Sequence, residues 1–397
     1  MDFGIFEPLV IIILMSVVIW KSGEGFESAA DYLGRNLSNG VKGATINAIG
    51  SSLPELLTTI FFLFILKNAD GFAAGLGTTA GSAVFNAAII PFIVGVSVYL
   101  KFNKTSFTIS RSVLVRDGIA LILVNLLLIL MINYGVNSKG QFSLTWKEGG
   151  VLMIFYLIYL GILFARMDKK ELEAESNESA AIAKDKIPSR RKREIFSSFT
   201  KFDFERVFVG HGEINTTRAW LLLVFSMVVM SGGCYGLAEA SIGLGEALGI
   251  PIFVVSVLIA AAATSVPDTF LSYKDALKGN YDDSISNAFG SNVFDIGFAV
   301  GFPVLLYGLI NINIPEGIIL QGAVLDDVIE LLSLLLIITI SIFILFISSP
   351  KLSLWKMIVV FMLYLVFIFA VIAKSVELEL MKSVSEFLLD FGKKITI

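Results

Sequence analysis

The amino-acid sequence predicts an all-α polytopic membrane protein, with about ten transmembrane helices arranged as two inverted five-helix repeats. Composition, a series of long apolar stretches and a duplicated motif support this prediction. Of the 397 residues, 56% are apolar and only 16% are charged, and the mean hydropathy is +0.82. A soluble domain carries about 25% charged residues, so this chain has too little polar surface to cover a core of that size.

Composition also limits the chemistry that the chain can perform. A single Cys, Cys234, excludes an internal disulfide, and a single His, His211, excludes a cluster of imidazole ligands. Any bound metal must therefore use oxygen ligands, and no cofactor is predicted. The net charge of -4 is small, which argues against nucleic acid as a partner. The expected partners are small cations and the lipid bilayer, and the oligomeric state is left open.

The apolar stretches define the predicted domain organisation, because a membrane helix needs about 20 largely apolar residues. The predicted spans are residues 5–21, 41–66, 71–99, 112–133, 147–165, 218–244, 250–277, 283–310, 321–347 and 354–374. They divide the chain into a first repeat (1–165), a central loop (166–217), a second repeat (218–375) and an amphipathic tail (376–397).

Basic residues predict the orientation of the spans. Lys and Arg are concentrated in the loops after spans three, five and nine, which all lie on the same side of the membrane if there are ten spans. Basic loops stay in the cytoplasm. The sequence therefore predicts a cell-membrane protein with a cytoplasmic central loop and both termini outside.

A two-part motif occurs once in each half of the chain. Its first copy reads GSSLPE at residues 50–55 and GSAVFN at residues 81–86, and its second reads ATSVPD at residues 263–268 and GSNVFD at residues 290–295. Each copy occupies two consecutive spans. Because each half has five spans, the second half must cross the membrane in the opposite sense, as in many secondary transporters.

Polar groups of the motif fall in the middle of otherwise apolar spans. Glu55 is the only charge between Lys42 and Lys67, so helical rise places it close to the bilayer centre. Asp268, Asp295 and Asn86 occupy similar positions in three other spans. Each ionised carboxylate at that depth costs roughly 2.5–3.5 kcal/mol on the insertion scale, and a bound cation would offset this cost.

Hydroxyl groups accompany these side chains at helical spacing. They lie three or four residues before the carboxylate or amide of their span, and so share its face: Ser51, Ser52, Ser82, Thr264, Ser265 and Ser291. Carboxylate, hydroxyl and amide oxygens suit hard cations such as Ca²⁺ or Na⁺.

Two prolines predict breaks in the helices that carry the motif. Pro54 and Pro267 have no amide hydrogen, so the carbonyl groups of Gly50 and Ala263 lose their helical partners. Free carbonyl groups inside a membrane must line a cavity or bind an ion. The breaks therefore add further oxygen ligands to the predicted site.

The duplicated motif resembles the two alpha repeats of the sodium/calcium exchanger family, within the calcium/cation antiporter superfamily. The resemblance implies that Glu55 and Asp268 are the central Ca²⁺ ligands, with backbone oxygens of Ser51 and Thr264 beside them. It also implies that spans one and six slide across the other eight to expose the site alternately. The flanking Na⁺ sites would be formed by Ser52, Ser82, Ser265 and Ser291 with the carbonyl groups of Ala48 and Ala261, and Asn86 and Asp295 would close the centre.

Alternatives remain open at the level of sequence. The phrases GSAVFN and GSNVFD are similar to the potassium-dependent branch of the family, and K⁺ dependence is undecided. A proton/calcium exchanger of the same superfamily would use the same carboxylates, and a passive channel would show flux without a counter-ion. An intramembrane hydrolase is a remote alternative because the Gly-x-Gly-Asp element of membrane aspartyl proteases is absent. We therefore expect a transporter and not an enzyme.

Overall fold

The computed structural model describes residues 4–34, 48–135, 141–165, 214–311, 317–349 and 351–395. This part of the chain is almost entirely helical, and the predicted all-α polytopic fold is confirmed. The helices are α1 Phe6–Leu33, α2 Ala48–Ser51, α3 Leu53–Leu66, α4 Ala69–Phe102, α5 Arg111–Tyr134, α6 Trp146–Ala165, α7 Thr216–Leu248, α8 Ile252–Val255, α9 Ala261–Thr264, α10 Val266–Lys278, α11 Tyr281–Phe294, α12 Val300–Ile310, α13 Gly322–Ile347, α14 Leu354–Ser375 and α15 Glu379–Lys394. The π-helical segments Ser256–Ala260 and Asp295–Ala299 join α8 to α9 and α11 to α12.

The described ends of the helices agree with the predicted spans to within four residues, except at the end of the first span. Within the described residues, nine helices are long and apolar enough to cross a membrane, and α3, with 14 residues, is a shorter apolar helix. Residues 41–47 of the second predicted span and most of the central loop, including His211, lie outside the described residues.

The first and sixth predicted spans are longer than the sequence suggests. Helix α1 continues twelve residues past the predicted end, to Leu33, and α7 continues to Leu248. Three charges of α1 are paired: Lys21 Nζ lies 2.9 Å from Glu24 Oε2, and Lys274 Nζ of α10 lies 3.4 Å from Glu27 Oε2. Because these pairs reduce the cost of burying charge, α1 remains regular, and it packs along α7.

Two short antiparallel ribbons connect loops of the two halves. Strand β1 (Ser106–Thr108) pairs with β4 (Lys351–Ser353), and β2 (Phe142–Leu144) pairs with β3 (Ile318–Leu320). Strands β1 and β2 lie at opposite ends of α5, so the ribbons lie at opposite ends of the helices. Exchanging the two halves of the chain converts one ribbon into the other, as expected for an inverted repeat.

Small residues on α4 allow other helices to approach it closely. A Cβ atom on Gly71 would lie 2.6 Å from the Phe62 carbonyl oxygen of α3, and one on Gly81 would lie 2.8 Å from Ala261 Cβ of α9. Helix α4 is therefore in contact with both helices that carry the proline breaks. This contact brings the two motif copies together.

Helix α15 packs on α13, and a hydrogen bond joins the two helices. Ser385 Oγ donates a hydrogen bond to Glu330 Oε2 at 2.6 Å, and Lys374 Nζ of α14 lies 2.9 Å from the same oxygen. Met381 and Leu388 are buried in this interface, whereas Phe387 is exposed. The amphipathic tail is thus a packing helix that keeps a second apolar stripe on its outer side.

Candidate cation site

Both copies of the motif interrupt their first helix at one serine. Ser52 separates α2 from α3, with φ −94° and ψ 3°, and Ser265 separates α9 from α10, with φ −76° and ψ 0°. Pro54 and Pro267 are the second residues of the helices that follow, where proline is tolerated because the first amide groups have no helical acceptor. The interruptions therefore have the same form in both halves.

The residues whose carbonyl groups were predicted to be freed lie two positions before each interruption. Gly50 is in α2 and Ala263 is in α9. A Cβ atom on Gly50 would lie 2.5 Å from the Phe26 ring of α1, so this glycine also permits the close approach of α1. Gly50 therefore links the broken helix to the first span.

The two interruptions place a carboxylate in the first turn of each new helix. Glu55 lies at the start of α3 and Asp268 at the start of α10, and both side chains are fully buried. The amino-terminal end of a helix carries partial positive charge, which stabilises a carboxylate there. The break thus gives each buried acid a favourable local field.

The Ser82 hydroxyl of α4 lies between the carboxylates of both halves. Its oxygen is 3.0 Å from Glu55 Oε1 and 3.2 Å from Asp295 Oδ2, and it can donate its single hydrogen to one of them at a time. It accepts hydrogen bonds from Ser265 Oγ at 2.9 Å and from Asn86 Nδ2 at 3.3 Å. One serine therefore joins four polar side chains of both motif copies.

Asp268 has donors on both of its carboxylate oxygens. Asn86 Nδ2 donates to Oδ2 at 2.9 Å, and Ser291 Oγ donates to Oδ1 at 2.8 Å. These bonds connect α10 to α4 and to α11. Asp268 thus accepts hydrogen bonds on both carboxylate oxygens. Glu55, by contrast, is 3.0 Å from the Ser82 hydroxyl at Oε1 and has no partner among the described residues at Oε2.

Several oxygens of the cluster are buried without a donor. Among the described residues, no hydrogen-bond partner is found for Ser52 Oγ, Glu55 Oε2, Asn86 Oδ1 and Asp295 Oδ1. None of the ion pairs between described residues includes Glu55, Asp268 or Asp295. Unpaired buried acceptors are costly, and a cation among them would satisfy them.

The remaining residues predicted for the site adjoin this cluster. Thr264 and Ser265 are fully buried, and Thr264 Oγ1 donates to the Ala261 carbonyl oxygen at 3.1 Å. Ser265 Oγ lies 2.8 Å from the same oxygen and 2.9 Å from Ser82 Oγ, and its single hydrogen can serve only one of them at a time. Ser51 is nearly buried at the end of α2, and Ala48 is the first residue of the same helix. The Ala261 carbonyl oxygen also accepts the backbone N–H of Ser265 at 3.1 Å, so a cation bound there would have to displace at least one of these donors.

Sequence reasoning overlooked two asparagines and two hydroxyls next to the site. Asn287 Nδ2 donates to Ser272 Oγ at 3.0 Å, and Asn292 Nδ2 donates to the Ala83 carbonyl oxygen at 2.8 Å. Thr59 Oγ1 donates to the Gly75 carbonyl oxygen at 3.3 Å. Thr59 and Ser272 each follow their carboxylate by four residues, so the internal repeat itself could have revealed them.

The atoms of this cluster that could bind a metal ion are oxygens from several kinds of group. In the part of the chain that the structure describes, no three His, Cys, Asp or Glu side chains are placed to hold a metal ion by themselves. A cation bound here would need hydroxyl, amide and carbonyl oxygens in addition to carboxylates. Such mixed oxygen sets bind Ca²⁺ and other hard cations.

Broken helices, inverted halves and a buried oxygen-lined site define the class of the protein, which is that of a secondary ion transporter. Residues 7–165 and 218–373 match the family model described as sodium/calcium exchanger protein. The chain belongs to this family, whose members are exchangers and not enzymes. Cation exchange involving Ca²⁺ is the activity that the family implies.

Two similar proteins match very different shares of this chain. An uncharacterized membrane protein of Methanocaldococcus jannaschii is 26% identical over 352 residues, which is 88% of this chain and 93% of that protein. Human sodium/potassium/calcium exchanger 3 is 38% identical over 128 residues. That match covers 32% of this chain and only 17% of the human protein.

Solved structures share the fold. The crystal structure of the H⁺/Ca²⁺ exchanger CAX has a TM-score of 0.64 at 14% identity, and the match covers 98% of this chain and 86% of that one. The sodium-calcium exchanger NCX_Mj, soaked with 10 mM Na⁺ and zero Ca²⁺, has a TM-score of 0.55 at 18% identity. That match covers 91% of this chain and 98% of NCX_Mj.

Proposed function

We propose that the protein is a Na⁺/Ca²⁺ antiporter of the cell membrane, which exchanges several Na⁺ for one Ca²⁺ at the buried cluster around Ser82. Glu55 and Asp268 are the central Ca²⁺ ligands in this proposal. Na⁺ would occupy flanking positions formed by hydroxyl and carbonyl oxygens. The chain's membership of an exchanger family supports the general class, and the site geometry supports the assignment of residues.

The observation that carries the proposal is the deficit of hydrogen-bond donors at the cluster. Three carboxylates are fully buried, and Glu55 Oε2 and Asp295 Oδ1 have no donor among the described residues. Positive charge must come from outside the described side chains, and a transported cation supplies it. An empty, ionised site would be unstable, which discourages closure of the transporter without its ions.

The charge of the site fits an exchange in which the two ions carry different total charge. Glu55 and Asp268 together carry −2, which matches one Ca²⁺, whereas three Na⁺ would leave +1. Exchange with that stoichiometry moves net charge and responds to membrane voltage. Asp295, the third carboxylate, lies 3.2 Å from the shared Ser82 hydroxyl and belongs to the same cluster.

The choice of Na⁺ as the driving ion rests on the hydroxyls beside each carboxylate. Ser52 and Ser265 lie at the helix interruptions, where hydroxyl and backbone oxygens together suit an ion of charge +1. The named human relative is a sodium/potassium/calcium exchanger, so K⁺ is a further candidate ion. Protons are the alternative, because each buried carboxylate could accept one, and CAX, which has the same fold, is named an H⁺/Ca²⁺ exchanger.

Alternating access is proposed to involve α1 and α7. These long helices pack along each other, and α1 touches the broken helices beside the site. A sliding movement of this pair would expose the site to one side and then to the other.

We further propose that the central loop is cytoplasmic and both termini are outside. The pairing of β1 with β4 supports this orientation, because it joins two loops that have basic residues nearby.

The proposal is tested by ⁴⁵Ca²⁺ uptake into proteoliposomes at clamped voltage. Outward gradients of Na⁺, K⁺ and H⁺ are compared, with Glu55→Gln as the inactive control. We expect uptake with the Na⁺ gradient and none with the H⁺ gradient alone. Uptake driven by H⁺ alone would assign the protein to the proton-coupled type, and Ca²⁺ flux without any counter-ion would indicate a channel.

A further inference from the structure

A second buried charged cluster lies outside the cation site, between α5, α6 and α11. Asp117 of α5 is fully buried, and its neighbour Arg116 binds it through two nitrogens, Nε to Oδ1 at 2.6 Å and Nη2 to Oδ2 at 2.9 Å. Tyr159 Oη of α6 donates to Oδ1 at 2.9 Å, and Ser286 Oγ of α11 donates to Oδ2 at 2.9 Å. All four donors converge on one carboxylate.

Such a pair contributes little stability by itself. The desolvation of two buried charges roughly cancels their attraction, and apolar side chains of similar volume often do as well. A buried ion pair can instead fix the relative position of two helices. Here Ser286 both donates to Asp117 and accepts from Arg116 Nη2 at 3.1 Å. The Arg116–Asp117 pair is therefore hydrogen-bonded to α11 through this one residue.

Ser286 is close along α11 to residues of the cation site. Asn287, the next residue, donates to the Asp268 carbonyl oxygen at 3.4 Å and to Ser272 Oγ. Ser291, which donates to the Asp268 carboxylate, is five residues further, or about 7.5 Å along the helix. A shift of α11 at Ser286 would therefore move the donor of Asp268.

The first repeat lacks this connection. The repeat equivalent of Ser286 is Gly77 of α4, which has no side chain and packs closely on Val257, where an added Cβ would lie 3.0 Å from Val257 Cγ2. Helix α4 is therefore positioned by close packing. Helix α11 has a polar attachment to α5.

We propose that Asp117 and Arg116 are positioning residues that hold α11, through Ser286, in the register that places Ser291 against Asp268. This inference rests on the proposed function, because the site that it positions is the proposed Ca²⁺ site. The residues act through α11 and do not contact the ion.

The test compares two variants that each remove one donor from the same carboxylate. Ser286→Ala removes the donor on α11, and Tyr159→Phe removes the donor on α6, a helix without any candidate ligand; the Arg116–Asp117 pair stays in both. For Ser286→Ala we expect roughly a fivefold rise in the KM for Ca²⁺, which does not exceed the effect of losing the Ser291 donor itself, with kcat changed less than about twofold. Tyr159→Phe should leave KM within about twofold of the unsubstituted protein.

Hydrogen exchange supplies a readout that does not depend on transport. Ser286→Ala should raise amide exchange in residues 281–299, whereas Tyr159→Phe should not. Equal effects of the two variants on KM, or no change in exchange for Ser286→Ala, would overturn the proposal. If the unsubstituted protein shows no Na⁺-driven uptake, the proposed function fails, and the exchange comparison alone then decides whether Ser286 anchors α11.

Discussion

The two halves of the molecule meet at one site but supply it with different chemistry. The first half provides Glu55 and the neutral amide of Asn86, whereas the second provides Asp268 and Asp295 at the equivalent positions. Asn86 donates to Asp268 across the interface between the halves, while Asp295 in its ionised form can only accept. The first half therefore supplies a fixed donor, and the second half supplies the extra negative charge.

Backbone geometry differs at the same pair of positions. Helix α4 is regular through Asn86, but a π-helical segment begins at Asp295. Such segments commonly occur at functional sites. Exact symmetry would give either four carboxylates or two, and the unequal pair gives three. The duplication therefore fixes where the polar groups lie, while single substitutions tune their charge.

The largest expected effect comes from neutralising either central carboxylate. Glu55→Gln or Asp268→Asn should lower Ca²⁺ uptake by about 100-fold or more, because removing one partner of a buried charge interaction costs several kcal/mol. Glu55→Gln keeps the size of the side chain and removes a buried charge, so the fold should be retained. Proteoliposome uptake and a thermal unfolding scan measure both properties, and near-normal uptake would show that Glu55 is not a central ligand.

Changing the charge of Asn86 and of Asp295 in separate variants tests whether the two halves have different roles. Asn86→Asp puts a carboxylate where an amide donates to Asp268 at 2.9 Å, so it removes a donor and adds like-charge repulsion. We expect uptake to fall by about tenfold or more. Asp295→Asn, the matched change in the other half, keeps an acceptor for Ser82 and should cost less. A larger loss for Asp295→Asn than for Asn86→Asp would reverse the roles assigned to the two halves.

Close packing of the first half is tested at Gly81. An added Cβ would overlap Val257 and Ala261 of the second half, so Gly81→Ala should destabilise the protein by roughly 1–3 kcal/mol. The control is Gly150→Ala on α6, where an added Cβ meets no atom within 4 Å. The unfolding temperature should fall for Gly81→Ala alone; equal unfolding temperatures would show that α4 can move away without cost.

The smallest expected effect comes from removing a single donor of the Asp268 carboxylate. Ser291→Ala leaves the Asn86 bond in place, so we expect the KM for Ca²⁺ to rise by roughly threefold to tenfold. Ser82→Ala, its repeat equivalent, removes the hydroxyl shared by both halves and should have the larger effect. Uptake measured over a range of Ca²⁺ concentrations separates the two, and a larger KM change for Ser291→Ala would contradict the central place of Ser82.

Much of this arrangement could be predicted from the sequence. The isolated charges identify the buried carboxylates, and helical spacing identifies the hydroxyls on the same face, because both depend on local periodicity alone. The contact of Ser82 with Asp295 could not be predicted, since it joins residues 213 positions apart. The same holds for the bond from Ser286 to Asp117 and for the pairing of β1 with β4.

Charge patterns were misleading where charges pair with each other. The first span was predicted to end at residue 21, yet α1 continues to Leu33 with Lys21 and Glu24 paired in its next turn. The π-helical segments also have no signal in composition, because they depend on packing against neighbouring helices. Tertiary partners therefore decide those features that the local sequence leaves open.

The central claim is that Ca²⁺ and Na⁺ compete for one site that contains Glu55. Equilibrium ⁴⁵Ca²⁺ binding to the purified protein, titrated with Na⁺ at constant ionic strength, tests it most directly. We expect Ca²⁺ binding that Na⁺ displaces with a Hill coefficient above 1, and no such binding in Glu55→Gln. Ca²⁺ binding that persists in Glu55→Gln, or that Na⁺ does not displace, would contradict it.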